Sequence, residues 1–321
     1  MLKFRKARYE PGVVDFGTGA YAYLQPDGGW GFSNAGLVTD GGEALLIDTM
    51  FDVPHTRAML DGFAKASSAR IGTLVNTHHN GDHCYGNGCL DCEIISTVGA
   101  AEAMKHETPK GLAQFMKAAP NLGTTGEYLI HCFGDFDFDD CAVRAPDTTF
   151  TGSLSRMVGS KRVDVIEVGP AHTGGDALVV SPADKTLFTG DILFVEGHPI
   201  LWAGPVGNWI AACETIDAMD VETIVPGHGP ITDKAGVRRL KDYLVHIRDA
   251  AKARYDAGMD PLEAARSIAL DDYAGWGDAE RIAVNTATLY REFGSKDVPS
   301  DAATLFGWMA QLCKDRSASS S

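Results

Sequence analysis

The chain lacks what would tie it to a membrane, a nucleic acid or a disulfide scaffold. No apolar run in its 321 residues approaches the ~20 needed to cross a bilayer. Basic residues are scarce beside acidic ones, 28 against 43, which leaves a formal net charge of −15. Proteins that bind polyanions use basic surface to displace counterions from phosphates, so this balance argues against DNA and RNA as partners. Residues 1–8 are basic but carry no apolar segment of a secretory signal, and the expected compartment is the cytoplasm. The 7 cysteines form no evident framework, and an odd number leaves at least one unpaired. Cys89-Leu90-Asp91-Cys92 has no second pair to complete a zinc ribbon, so thiols kept reduced are the expectation.

What is present is concentrated in Asn76-Thr77-His78-His79-Asn80-Gly81-Asp82-His83, directly after the apolar run at 71–75. A β-branched run that stops at such a cluster reads as a buried strand whose end presents side chains to a shared point. Imidazole nitrogen and carboxylate oxygen at this density point to a transition metal such as zinc, iron or manganese. Three later segments repeat the arrangement. Pro170-Ala171-His172-Thr173-Gly174-Gly175-Asp176, Thr189-Gly190-Asp191 and Pro226-Gly227-His228-Gly229-Pro230 each follow a short apolar run and hold a His or Asp in a turn.

In this order the motifs resemble the metallo-β-lactamase superfamily, whose leading motif is His-x-His-x-Asp-His. This chain supplies His78, Asp82 and His83, with Asn80 where the second histidine belongs. His172, Asp191 and His228 match the later positions, and residues 33–36 and 47–49 look like the family's first strands. The resemblance covers roughly residues 12–234. It implies an α/β fold, an αβ/βα sandwich of two mixed β-sheets flanked by helices, with the metal site at one edge.

It also implies two metal positions. The second, held by Asp82, His83, Asp191 and His228, is complete. The first keeps His78 and His172, with Asn80 in place of an imidazole. An amide oxygen is a weaker and harder donor than an imidazole nitrogen. The expectation is therefore zinc, one ion tightly held and a second weak or absent, with iron or manganese as alternatives. Asp82, His78 and Asp191 are the expected catalytic residues, and Asp48 an expected support for a ligating imidazole.

The remaining chain divides by rhythm. Residues 12–50 alternate turns with short apolar runs, an opening antiparallel meander with Asp40-Gly41-Gly42 as one turn. Met59, Leu60, Phe63 and Ala64 fall at helical spacing, as do Trp209, Ile210, Cys213 and Ile216. Within 100–150, Leu112, Phe115 and Met116 suggest a helix, while the acidic, aromatic 133–140 fits neither period and reads as a lid, a homodimer contact or a surface loop. His106, His131 and Cys132 share no recognisable ligand spacing and read as ordinary side chains before a structural metal site. His198, near Trp202, reads as a satisfied histidine before a pocket residue.

Residues 1–234 are expected to form the catalytic domain, and 235–315 a helical extension packed on it. In the extension Val237, Leu240, Leu244, Ile247 and Ala251 form a stripe, and Asp260-Pro261-Leu262-Glu263 a capping box. Residues 316–321 are expected to form a disordered tail.

The function that follows is a metal-dependent hydrolase in which a metal-bound hydroxide attacks a small-molecule ester, thioester or lactone. Two alternatives stand beside it. One is a hydrolytic dehalogenase of an aromatic substrate working on a single zinc. The other is a binding or sensing module that has lost catalysis.

Overall fold

The computed structural model describes residues 9–26 and 28–319. The basic amino terminus at 1–8 lies outside them, as do Asp27, Ser320 and Ser321.

The first half is built around a 7-stranded sheet in sequential order. β1 (Gly12–Asp15), β2 (Ala20–Leu24), β3 (Ala35–Asp40) and β4 (Glu43–Ile47) form the expected antiparallel meander. Gly41 and Gly42 make its tightest turn, both at positive φ, 58° and 86°, the backbone that a two-residue hairpin between right-twisted strands requires. α1 (Val53–Ala66) then crosses the sheet, opened by Asp52, whose carboxylate accepts from the His55 amide at 2.8 Å. β5 (Arg70–Val75) adds parallel to β4, the one-turn α2 (Gly81–Cys84) follows, and β6 (Glu93–Thr97) continues the sheet.

Residues 98–133, which offered one helical signal in sequence, form three helices: α3 (Val98–Met104), α4 (Pro109–Ala118) and α5 (Gly123–Phe133). β7 (Thr148–Phe150) closes the first sheet.

The second sheet has 5 strands. β8 (Ser153–Val158), β9 (Lys161–Glu167), β10 (Ala177–Ser181) and β11 (Thr186–Phe188) run antiparallel; after α6 (Val206–Ala218), β12 (Thr223–Val225) pairs parallel to β11.

Period-two alternation sorts the strands' side chains. Val38, Leu45, Ile47 and Val75 meet Val165, Val179 and Phe188 between the sheets. Leu37, Leu46 and Leu74 turn outward onto Met59 and Phe63 of α1. Two mixed sheets flanked by helices are thus the architecture.

The extension comprises α7 (Lys234–Asp256), α8 (Pro261–Ser267), α9 (Ile282–Glu292) and α10 (Ala302–Ser319). All five apolar residues expected on the stripe of α7 are buried in one core with Trp209 and Leu289. Asp260 caps α8, its Oδ1 accepting the amides of Leu262 and Glu263. Where a disordered tail was expected from residue 316, α10 instead continues to Ser319. The helix persists because its apolar side, including Leu305, Met309 and Leu312, is buried in that core. Among the described residues no helix is long and apolar enough to cross a membrane.

Candidate metal centre and chamber

The four ligand-bearing segments converge at one edge of the sandwich. Thr77 and His78 follow β5, Asp82 and His83 ride on α2, His172 follows β9, Asp191 sits in the turn after β11, and His228 follows β12. Two groups lie close enough to hold a cation: His78, His172 and Asp191, and Asp82, His83 and His228. His83 Nε2 stands 3.0 Å from Asp191 Oδ1, while His228 Nε2 is 3.2 Å from Asp82 Oδ2 and 3.5 Å from Asp191 Oδ2. Four donors on a tetrahedral zinc, each bonded at ~2.0–2.1 Å, would be ~3.3 Å apart. The donor set fits a cation for a further reason: His78 Nε2, His83 Nε2 and Asp191 Oδ1 are buried and have no hydrogen-bond partner among the described residues. Such orphaned lone pairs are costly unless something positive meets them.

The other group differs. His172 Nε2 lies 3.3 Å from Asp191 Oδ2 but only 2.9 Å from Asn80 Oδ1, and His78 Nε2 is 3.8 Å from Asp191. Asn80 therefore stands where a further ligand would, with its oxygen against the His172 ring.

Each imidazole is aimed by its other nitrogen. Asp48 accepts from His83 Nδ1 at 2.9 Å, as expected of a supporting carboxylate, and also from the Thr77 amide and hydroxyl, each at 2.7 Å. Asp48 is held at φ 62°, a left-handed conformation uncommon for any residue but glycine. His172 Nδ1 donates to Ile200 O at 2.7 Å and His228 Nδ1 to Gly28 O at 3.2 Å. The Thr173 turn behaves as the sequence indicated: Asp176 gathers the Ala171 and Thr173 amides and the Thr173 hydroxyl beneath His172. Asn34 ties down the loop bearing His228, donating to Pro226 O and Gly229 O. Gly227 is required next to it, because a Cβ there would stand 2.0 Å from Asp191 Oδ1.

Without a cation the cluster is strongly polarised. Burial works against charge on His228, but the Asp191 and Asp82 carboxylates prevail and push it up to about 9. Burial likewise opposes charge on Asp191, yet the His228 and His83 rings hold it well below the usual carboxylate range. His78 goes the other way, lowered by burial and by neighbouring His83.

The cluster floors a chamber of about 830 Å³. Trp30, Phe51, Phe115, Phe133, Trp202 and Phe306 form much of its wall, so the stretches hardest to read in sequence are those that enclose the site. Of the acidic, aromatic stretch, Phe136 and Phe138 pack on Phe51 at 5.0 and 4.8 Å. α10 contributes Phe306, which stacks near Trp30, Phe133 and Trp202.

Trp202 lines the chamber, but His198 lies outside it, fully buried against Tyr243 and Trp276 and driven down to about 3 by burial. No metal-holding group among the described residues includes His106, His131 or Cys132, and all seven cysteines are free. His79 lines the chamber without joining either group.

Several lining residues had not been singled out in sequence, among them Trp30, Tyr85, Glu107 and Arg281. The one available signal was a charged Glu280-Arg281 pair directly ahead of the apolar α9, too common a pattern to act on alone.

A sequence profile for the Metallo-beta-lactamase superfamily matches residues 28–228. The chain belongs to this superfamily. Among its curated members, the hydroxyacylglutathione hydrolase of Cupriavidus metallidurans is 24% identical over 270 residues, covering 83% of this chain and 77% of that one. The linear primary-alkylsulfatase of a Pseudomonas species is 22% identical over 254 residues, 70% of this chain and 48% of that one. The solved sec-alkylsulfatase Pisa1, also from Pseudomonas, superposes with a TM-score of 0.66 at 16% identity, over 89% of this chain and 50% of that one. The chain thus spans about half the length of these two alkylsulfatases. At that identity the superposition speaks for shared fold alone, and it extends beyond the superfamily's matched region.

Proposed function

We propose that the protein is a metal-dependent hydrolase of an ester-type bond, a carboxylic ester, thioester or lactone, in a small molecule with a bulky apolar or aromatic body. One observation carries this reading: the imidazole and carboxylate donors of the two groups converge at one place, and Asp82, His172, Asp191 and His228 among them line an aromatic chamber. Asp82, His83, His228 and Asp191 would hold the principal cation, and His78, His172 and Asn80 a second, weaker one. Zinc suits the two-imidazole, two-carboxylate set. When bound, such a cation supplies a Lewis acid and lowers the pKa of a coordinated water toward ~7.

The chain's own residues do the rest. Asp48 fixes the ring of His83 so that Nε2 faces the site. Asp191, spanning both groups, faces His83 through Oδ1 and His172 and His228 through Oδ2. Asp82, beside His228, is placed to take up a proton from water during attack and pass it to the leaving group. The aromatic wall excludes bulk water and positions the apolar body. The hydroxyacylglutathione hydrolase supports a thioester, which is what its named substrate contains, and the alkylsulfatase a sulfate ester.

A second reading, hydrolytic dehalogenation of an aromatic compound on one cation, gains support from the aromatic wall together with Asn80 in the weaker group. A zinc-loaded turnover screen over ester, thioester, lactone, sulfate-ester and aryl-halide panels tests both. Hydrolysis of an oxygen or sulfur ester, abolished in Asp82→Ala, is the expected result. Turnover of aryl halides alone would move the assignment to the second reading, and zinc binding without turnover on any panel would refute both in favour of a binding module.

A further inference from the structure

Two N–H groups at the chamber have no acceptor among the described residues. Trp30 Nε1 and Arg281 Nε are buried and unbonded, and both side chains line the same chamber as His172, Asp191 and His228. They are also held against each other, with the Arg281 guanidinium carbon 4.4 Å from the Trp30 ring centroid. The remainder of the guanidinium is committed: Nη1 donates to His198 O at 2.9 Å, and Nη2 pairs with Asp278 at 3.0 Å. Neither an indole N–H nor a guanidinium N–H can accept a hydrogen bond. A buried donor left unpaired carries a desolvation penalty that an arriving acceptor removes.

Placement and charge narrow the acceptor. Phe194 stacks on His228 at 5.1 Å and lies 5.5 Å from the guanidinium carbon on its other contact, so one ring separates the donor pair from the metal centre. The charge of Arg281 is already balanced by Asp278, and Glu280 is buried beside it. A carboxylate brought here would find no unspent cation, whereas a neutral oxygen or nitrogen acceptor adds no charge to be desolvated.

We propose that Trp30 and Arg281 form a recognition subsite for an uncharged hydrogen-bond acceptor, a carbonyl or nitrile, carried on the aromatic or apolar body of the substrate one ring away from the bond that is cleaved. The subsite names a feature of the substrate in the hydrolase reading, and rests on that reading only in treating the occupant as a substrate.

Binding alone tests it. Zinc-loaded protein with isotope-labelled tryptophan is titrated with acetylnaphthalene, ethylnaphthalene and naphthoate of the same substitution pattern, and the indole N–H resonances of the 5 tryptophans are followed by NMR. The Trp30 signal is assigned by its loss in Trp30→Phe, which keeps an aromatic six-membered ring and removes the donor together with the fused five-membered ring. The ketone is expected to bind about tenfold more tightly than its ethyl isostere and to move the Trp30 N–H proton downfield. Trp30→Phe, whatever it does to the affinity of both compounds, should bring the ketone-to-ethyl ratio from about tenfold to within about twofold of unity. Equal affinity for ketone and ethyl compound, no binding by any of the three, or an unmoved Trp30 resonance overturns the subsite. Tighter binding of naphthoate than of the ketone overturns its neutrality. A protein that binds the ketone as described yet hydrolyses nothing on the turnover panels would fail the hydrolase reading and leave the subsite standing.

Discussion

Replacing Asn80 by histidine should convert a one-metal protein into a two-metal protein. The second donor group supplies two imidazoles and a carboxylate of its own beside the shared Asp191, with spacings of 3.0, 3.2, 3.5 and 3.9 Å around the ~3.3 Å edge of a zinc tetrahedron. The first supplies two imidazoles and the shared carboxylate, and its remaining position is an amide oxygen lying 2.9 Å from His172 Nε2. Removing a partner that merely orients a ligand already costs about 10–100-fold in metal affinity. Exchanging the ligand itself for a weak neutral donor should cost at least as much, so the two sites should differ by about 10–100-fold or more and fill in sequence. The check is metal per chain by mass spectrometry on protein purified without added metal. One equivalent in the wild type rising to two in Asn80→His is the expected outcome. Two equivalents in both would refute the reasoning, because Asn80 would then be an adequate ligand.

Asp48→Asn should lower zinc affinity by about 10–100-fold in competition with a chromophoric chelator, since the His83 ring loses its carboxylate partner while asparagine still accepts the left-handed backbone; unchanged affinity would remove Asp48 from the metal centre. Zinc binding should strengthen as pH rises and level off above about 9, because metal-free His228, held up at about 9 by its carboxylate neighbours, carries a proton that the ion must displace. Proton release measured in weakly buffered solution checks this, and uptake without release below pH 9 would contradict it. Burial and the nearby Asp278 raise Glu280 to about 7, above its unfolded value, so its contribution to stability is complete below ~4.5 and is lost as pH rises to about 7, a swing of about 3 kcal/mol. Glu280→Gln should therefore gain stability relative to the wild type between pH 5 and 8 in paired denaturant titrations, and a pH-independent difference would show that Glu280 does not titrate there.

The parts of the fold legible in sequence are those governed by local rules. The Asp40-to-Glu43 hairpin needed only its two glycines, the α7 stripe only its period, and α8 only the Asp260 cap. The metal centre was legible for a related reason: each ligand lies in the segment that leaves the end of a strand, Asp82 and His83 on the single helical turn that segment leads into, so its sequence position already states which edge of the sheet it reaches. Asp48 could be named as a support on the same grounds. Arg281 could not, because only Asp278, three residues before it, is a local partner, while His198 and Trp30 come from distant segments that no local pattern announces.

The 100–150 region was illegible because its aromatic residues answer to distant partners. Phe133 meets Phe51 and Phe306, and Phe136 meets Phe51 and Phe32, contacts that impose no period on the segment itself. The same long-range logic explains how the inserted helices and the carboxy-terminal extension act as one wall. Tyr128 of α5 donates to Glu280, just ahead of α9, at 2.9 Å, and packs on Phe306 of α10. That bond is buried and joins residues 152 apart in sequence, so it ties the helices of 98–133 to the carboxy-terminal extension. The sandwich edge can then keep its metal ligands fixed by turns after strands, while the shape of the chamber is set by elements added outside the sheets. Relatives that share the edge but differ in those additions would keep the hydrolytic chemistry and accept different bodies on the scissile bond.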